Sequence, residues 1–203
     1  ICGGAGTGKS RLVEEVKATL DTNNVQWIEG HAYAYSKNIP YFPLIDLLNR
    51  LFYINENDPS EKVKEKLESG IESLVANKED VIPYVGVLYS LKYPGTEDIS
   101  PEHLKSLLQS AVLTILSALA QKAPTVFFLE DLHWADLPFV EMIRRACMEI
   151  RHPAIVLCAY RPSFSLLTGH QMNSIRRHYH EIHLQDLSLS EAHDMLESLL
   201  GTG

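Results

Sequence analysis

Cysteine is scarce in this chain. Its three copies, Cys2, Cys147 and Cys158, are scattered and odd in number, and none belongs to a C-x-x-C pair. A disulfide framework is therefore excluded as the organising device, and a reducing, cytoplasmic setting is expected. Positive charge is also short: 18 Lys and Arg stand against 26 Asp and Glu, a formal net charge of −8. That balance does not fit broad binding to nucleic acid or to an anionic membrane surface, although it allows a local basic pocket for a small phosphate ligand. No signal peptide is recognisable, and no apolar run reads as long enough to span a bilayer. Internal repeats and low-complexity tracts are missing. So is an initiating Met, and the chain is expected to be an excerpt of a longer protein.

What is present suits a globular domain. The 203 residues are 45% hydrophobic and 22% charged, enough for one large domain with a real core, or a domain plus part of another. KSRLVEEVKATL carries Leu12, Val16 and Leu20 at i, i+4 spacing and predicts a helix with that apolar face. VQWIEGHAYAY follows as a strand with its exit loop. From about residue 40 to 123 the pattern is helical almost throughout. Leu44, Leu47, Leu48 and Leu51 mark one helix. DPSEKVKEKL starts another, with Asp58 as cap, Pro59 at the first position and Glu61 as the reciprocal carboxylate. A third runs from SPEH, with apolar positions from Leu104 to Leu119 in helical period. The period then changes. TVFFLED and AIVLCAYRP are unalternated apolar runs, suited to strands buried on both faces of a parallel sheet. HEIHLQDL is a weaker strand, and SLSEAHDMLESLL follows with Ser188 and Glu191 at capping-box spacing. The alternation predicts an α/β fold with an all-helical insertion between the second and third strands.

The chemistry concentrates in Gly3-Gly4-Ala5-Gly6-Thr7-Gly8-Lys9-Ser10, a full match to G-x-x-x-x-G-K-[ST]. Glycines let consecutive backbone N–H groups turn inward around an anion, and the following helix adds its positive end. Lys9 can reach β- and γ-phosphates, and Ser10 can ligate Mg²⁺. Glu130 and Asp131 close the TVFFLED run, at the strand end where α/β sheets bind ligands. One acid can hold Mg²⁺ and the other can orient or polarise the attacking water. Arg161 ends the next apolar run. If that strand lies between the other two, Arg161 faces the γ-phosphate region; the alternative is an arginine salt-bridged at a strand end.

GGAGTGKSRLVEE, FFLEDLHWAD and CAYRP, in that order, resemble the STAND-type ATPase module related to AAA+ proteins, with an origin-recognition-like core. The resemblance is to versions attached to class III adenylate or guanylate cyclases, to Ser/Thr kinases and to large helix-turn-helix regulators. It implies a P-loop three-layer sandwich of ASCE-type strand order, with the first strand largely missing here. It also implies ATP or ADP with Mg²⁺, slow hydrolysis, and use of the nucleotide state as a switch on an effector domain in the same parent chain. Self-association is a further possibility within that family. Carried over by position, Gly3, Gly8, Lys9 and Ser10 form the Walker A site, with Arg11 at its end. Glu130 and Asp131 are the Walker B acids, and Arg161 is the sensor position on the fourth strand. His133, Trp134 and Asp136 match the family pattern without a derivable role; Asp136 can equally cap the next helix. Residues 1–187 are expected to form the ATPase core, with the helical insertion at about 40–123, and 188–203 the beginning of a truncated helical lid. A first strand reduced to Ile1-Cys2 would leave a central slot in the sheet, so residues 1–203 alone are expected to be unstable.

Other readings compete. A module that holds ATP or ADP without hydrolysis would show the same residues, and a mechanical AAA+ ring would want an arginine finger, for which Arg176 and Arg177 are weak candidates. Asn77-Lys78-Glu79-Asp80 spells the guanine-reading N-K-x-D, but it precedes the acidic strand, the wrong order for a GTPase. His178, His180 and His183 have a spacing compatible with a metal, without a nearby cysteine.

Overall fold

The computed structural model describes residues 1–20, 24–167, 171 and 178–200. Within them five parallel strands carry the fold: β1 (Cys2–Gly3), β2 (Gln26–His31), β3 (Thr125–Glu130), β4 (Ala154–Cys158) and β5 (His183–Leu184). β2 pairs with β3 from Gln26↔Thr125 to His31↔Glu130, and β3 with β4 from Thr125↔Ala154 to Leu129↔Cys158. β1 pairs with β5, and a single parallel bridge, Cys2↔Tyr160, joins it to the extension of β4. The order across the strands is therefore β5-β1-β4-β3-β2. The two-residue strand that feeds the glycine turn lies beside the segment leading to Arg161, in keeping with the ASCE-type order that the family resemblance implies.

Helices cover both faces. α1 (Lys9–Thr19) follows β1. Between β2 and β3 lie α2 (Phe42–Leu51), α3 (Ser60–Leu74), α4 (Ile82–Gly86) and α5 (Pro101–Lys122), the expected helical insertion. α6 (Leu137–Glu149) links β3 to β4, and α7 (Leu189–Leu200) follows β5. Strand alternation divides the core. Phe127 and Leu129 of β3 join the large cluster built by α2 to α6. Phe128 points the other way and packs with Val13 of α1 and Ala159. Ser188 and Glu191 form the anticipated reciprocal cap: Ser188 N donates to Glu191 Oε2 at 2.8 Å and Glu191 N to Ser188 Oγ at 3.3 Å.

Four local expectations need correction. The buried face of α1 is Lys9 and Val13, while Val16 is 43% exposed. Lys9 turns inward to the loop carbonyls, and residues four apart share a helix face, so Val13 follows it in. Asp58 does not cap α3; it accepts from Asn55 N at 2.9 Å and Lys66 Nζ at 2.5 Å, lysine contacts that outcompete a cap. β4 is less enclosed than an all-apolar run suggests: Ile155 is 61% exposed, because the apolar cover on the α1 side reaches Leu157 and stops. Finally, α5 is long and apolar enough, by length and composition alone, to cross a membrane. Its residues Leu108, Ala111, Val112, Ile115, Leu116 and Leu119 are nevertheless buried against the rest of the insertion, as in a core helix.

β2 and α2 approach closely at Gly30. A Cβ there would lie 2.9 Å from Pro43 O and 3.0 Å from Leu47 Cβ, both on an ordered helix. Gly30→Ala is expected to lower unfolding stability by about 1–3 kcal/mol, the usual range for overpacking. Urea denaturation checks this; an unchanged midpoint would show that α2 can back away.

Candidate functional site

The glycine turn takes its shape from two left-handed residues. Gly6 and Gly8 have φ of 79° and 85°, and the space a side chain would take at each is open. α1 begins at Lys9, so its first N–H groups face the turn. Thr7 Oγ1 donates to Gly4 O at 3.1 Å and tightens the loop. Lys9 is 9% exposed, and its Nζ donates to Gly3 O at 3.0 Å and Gly4 O at 2.6 Å. Among the described residues no carboxylate lies within ion-pair distance of that ammonium. A buried cation satisfied only by neutral carbonyls is an incomplete arrangement, and an anion completes it. An open, N–H-lined turn beside such a cation fits phosphate.

Across from the turn, Ser10 Oγ donates to Glu130 Oε1. The register of β2 on β3 places His31 beside Glu130, with Nε2 at 3.3 Å from Glu130 Oε2. His31 Nδ1 lies 3.1 Å from Asp46 Oδ2 on α2, and its backbone N donates to the same oxygen at 2.9 Å. Arg50 Nε donates to Asp46 Oδ2 at 3.0 Å, one turn along α2. The hydrogen bonds to Asp46 and then Glu130 raise the His31 imidazolium to about 9, against burial. The His31 contact holds the Glu130 carboxyl below its ordinary value, with the Ser10 hydroxyl adding to the effect. Burial pushes Asp46 up, but the His31 and Arg50 contacts outweigh it and the net direction is down. The Ser10 hydroxyl and the Glu130 carboxylate are hard oxygen donors already in contact, a donor pair that suits Mg²⁺.

Asp131 sits apart from that pair. Its φ of 56° turns the chain out of β3, and its side chain is 47% exposed. The turn Leu132–Trp134 follows, tied to the end of β4 by Leu132 N donating to Ala159 O at 3.0 Å. Arg161 reaches back over this turn, with Cζ 5.9 Å from the Trp134 ring centre.

Residues 1–157 match the family model described as the AAA ATPase domain. The chain belongs to that family. No curated protein and no solved structure gives a significant match to it.

In this AAA domain the structure brings Ser10, Glu130 and Lys9 to one place, with Gly3, Gly4, Ala5, Gly6, Thr7 and Gly8 wrapped around it. Arg11 is not drawn in; it pairs with Glu15 on the exposed side of α1. Asp136 caps α6, accepting from Phe139 N at 3.3 Å, and also accepts from Tyr41 N at 3.1 Å, which ties α2 to α6. Lys78 of the NKED stretch pairs with Glu72 at 2.6 Å in an exposed turn. His183 pairs with Glu181 at 3.2 Å, and among the described residues no group of three His, Cys, Asp or Glu is arranged to hold a metal. Arg176 and Arg177 lie outside the described residues. Three residues escaped the sequence reading: His31, Asp46 and Arg50. Their one sequence signal is a histidine closing β2 and an Asp/Arg pair at i, i+4 on the next helix.

A pH effect follows. The His31 value is raised from 6.5 to about 9 on folding. Its contribution to stability is therefore full below pH 6.5 and fades as pH climbs through about 9. In the magnesium-free protein, denaturation midpoints should fall across that window, and His31→Gln should flatten the slope. NMR titration of the His31 ring checks the midpoint directly.

Proposed function

We propose that this AAA domain binds ATP and hydrolyses it slowly with Mg²⁺, using the nucleotide state as a switch within a larger signalling or regulatory protein. The observation that carries this reading is the buried Lys9 ammonium, held on two carbonyls without a carboxylate, facing the Ser10–Glu130 pair. Lys9 would exchange those carbonyls for β- and γ-phosphate oxygens, a stronger charge-assisted contact. Ser10 and Glu130 would hold Mg²⁺, which when bound offsets charge on the same phosphates. Asp131, half exposed and outside that pair, is the acid that orients the attacking water and takes its proton. Arg161, just past the extension of the neighbouring strand β4, steadies charge on the terminal phosphate. Residues 1–187 then form the core and 188–203 open a helical lid that responds to loss of that phosphate. The family resemblance supports a cyclase, kinase or DNA-binding effector in the same parent chain.

Single-turnover assays with radiolabelled ATP test the reading. Product formed at a rate dependent on Mg²⁺ supports it. Tight ATP binding with no product points instead to a regulatory module that only holds the nucleotide.

A further inference from the structure

Among the described residues, His133 in the turn after Asp131 has both ring nitrogens left without a partner. Its side chain is 7% exposed, and both ring nitrogens are buried with no hydrogen-bond partner. Orphaned buried polar atoms are costly and rare in folded proteins. The ring is tightly held. It packs on Trp134 at 5.0 Å between centroids, in a turn pinned to β4 through Leu132. Three charged groups act on it: the Asp131 carboxylate and the Lys9 and Arg161 cations. The Asp131 carboxylate comes close: its Oδ1 is 3.8 Å from His133 Nδ1, too long for a hydrogen bond.

The two partners differ in freedom. His133 is enclosed, whereas the Asp131 side chain is half in solvent and can rotate about χ1 and χ2. A small rotation of Asp131 alone closes the gap. Beside the observed arrangement, open to solvent, this carboxylate has a second within reach, locked by the N–H of an otherwise unpartnered ring.

We propose that His133 is a positioning residue for Asp131. On binding of nucleotide with its terminal phosphate, His133 Nδ1–H donates to Asp131 Oδ1. That leaves Oδ2 directed at the attacking water. The contact also offsets the repulsion that a phosphate's negative charge exerts on the carboxylate. Proton transfer from the water remains the business of Asp131; His133 keeps its own proton throughout. This inference rests on the proposed hydrolytic role of Asp131.

The test compares His133→Phe, which keeps a flat ring against Trp134 without a donor, with His133→Asn, which restores one. Three quantities are read: single-turnover rate, affinity for ADP, and affinity for ADP with aluminium fluoride, whose complex needs the water and its acid in place. For His133→Phe the rate and the aluminium fluoride affinity should each drop about 10–100-fold, the scale of one lost positioning hydrogen bond at a reacting centre. ADP affinity should stay near wild type and the melting temperature should be no lower, since the unpartnered nitrogens are gone, and His133→Asn should recover part of the loss. A His133→Phe protein with wild-type rate and wild-type aluminium fluoride affinity overturns the proposal. So does a parallel loss of ADP affinity and thermal stability, which marks a packing role. Asp131→Asn separates the two levels. If it retains wild-type turnover, the role given to Asp131 fails; if it is inactive while His133→Phe is normal, only the positioning role fails.

Discussion

Lys9→Ala is expected to weaken ATP and ADP binding by about 100-fold or more, as measured by titration calorimetry. The physical ground is what Lys9 does without nucleotide. Its ammonium is buried on Gly3 O and Gly4 O and meets no carboxylate among the described residues. A phosphate supplies the missing negative charge, so removing the cation removes the largest attraction in the loop. The same ground makes a second, opposite forecast. A buried charge without a counterion burdens the empty fold, so the variant should melt no lower than wild type. Lost binding with unchanged melting assigns Lys9 to the ligand. Unchanged affinity would reject the loop as a phosphate site.

Asp131→Asn and Glu130→Gln should each bind ATP within several-fold of wild type and lose turnover: Asp131→Asn by about 10²–10⁴, the range for removing an acid–base group, and Glu130→Gln through loss of an oxygen donor to Mg²⁺. The two differ in a side effect. Glu130 takes contacts from Ser10 and His31, so its amide variant also releases His31, whose ring should then titrate below about 9. Asp131 touches neither residue, and its variant should leave the His31 midpoint alone. Single-turnover rates combined with NMR titration read both effects in the same samples. Wild-type turnover in both variants would remove the acids from the chemistry.

Much of this was legible in the chain alone, and the reason is local. The glycine turn, the acids closing β3 and the Ser188–Glu191 cap each depend on a few adjacent residues whose spacing carries the physics. The unalternated apolar runs placed their strands inside a parallel sheet, but the strand order came only with the family resemblance. The failures are tertiary. Leu12, Val16 and Leu20 make a good helical stripe, but Lys9 competes for the interior and rolls α1 onto Val13. Asp58 has the spacing of a cap, but Lys66 reaches it from about two turns further along. His31 and Asp46 meet only because β2 lies in register with β3 while α2 folds back over it, and no window of sequence contains that meeting.

The polar contacts around His31 also close on themselves. From Ser10 on α1 they run through Glu130, His31, Asp46 and Arg50 to Glu29, and from Glu29 to Lys17 at 3.0 Å, back on α1. A linkage with both ends on one rigid rod has fewer independent movements than an open chain. α1 cannot slide along its axis, or roll, without straining links at both its first and its last turn. The helix that opens at the glycine turn and the first helix of the insertion are therefore joined in one closed circuit of polar contacts, anchored through β2.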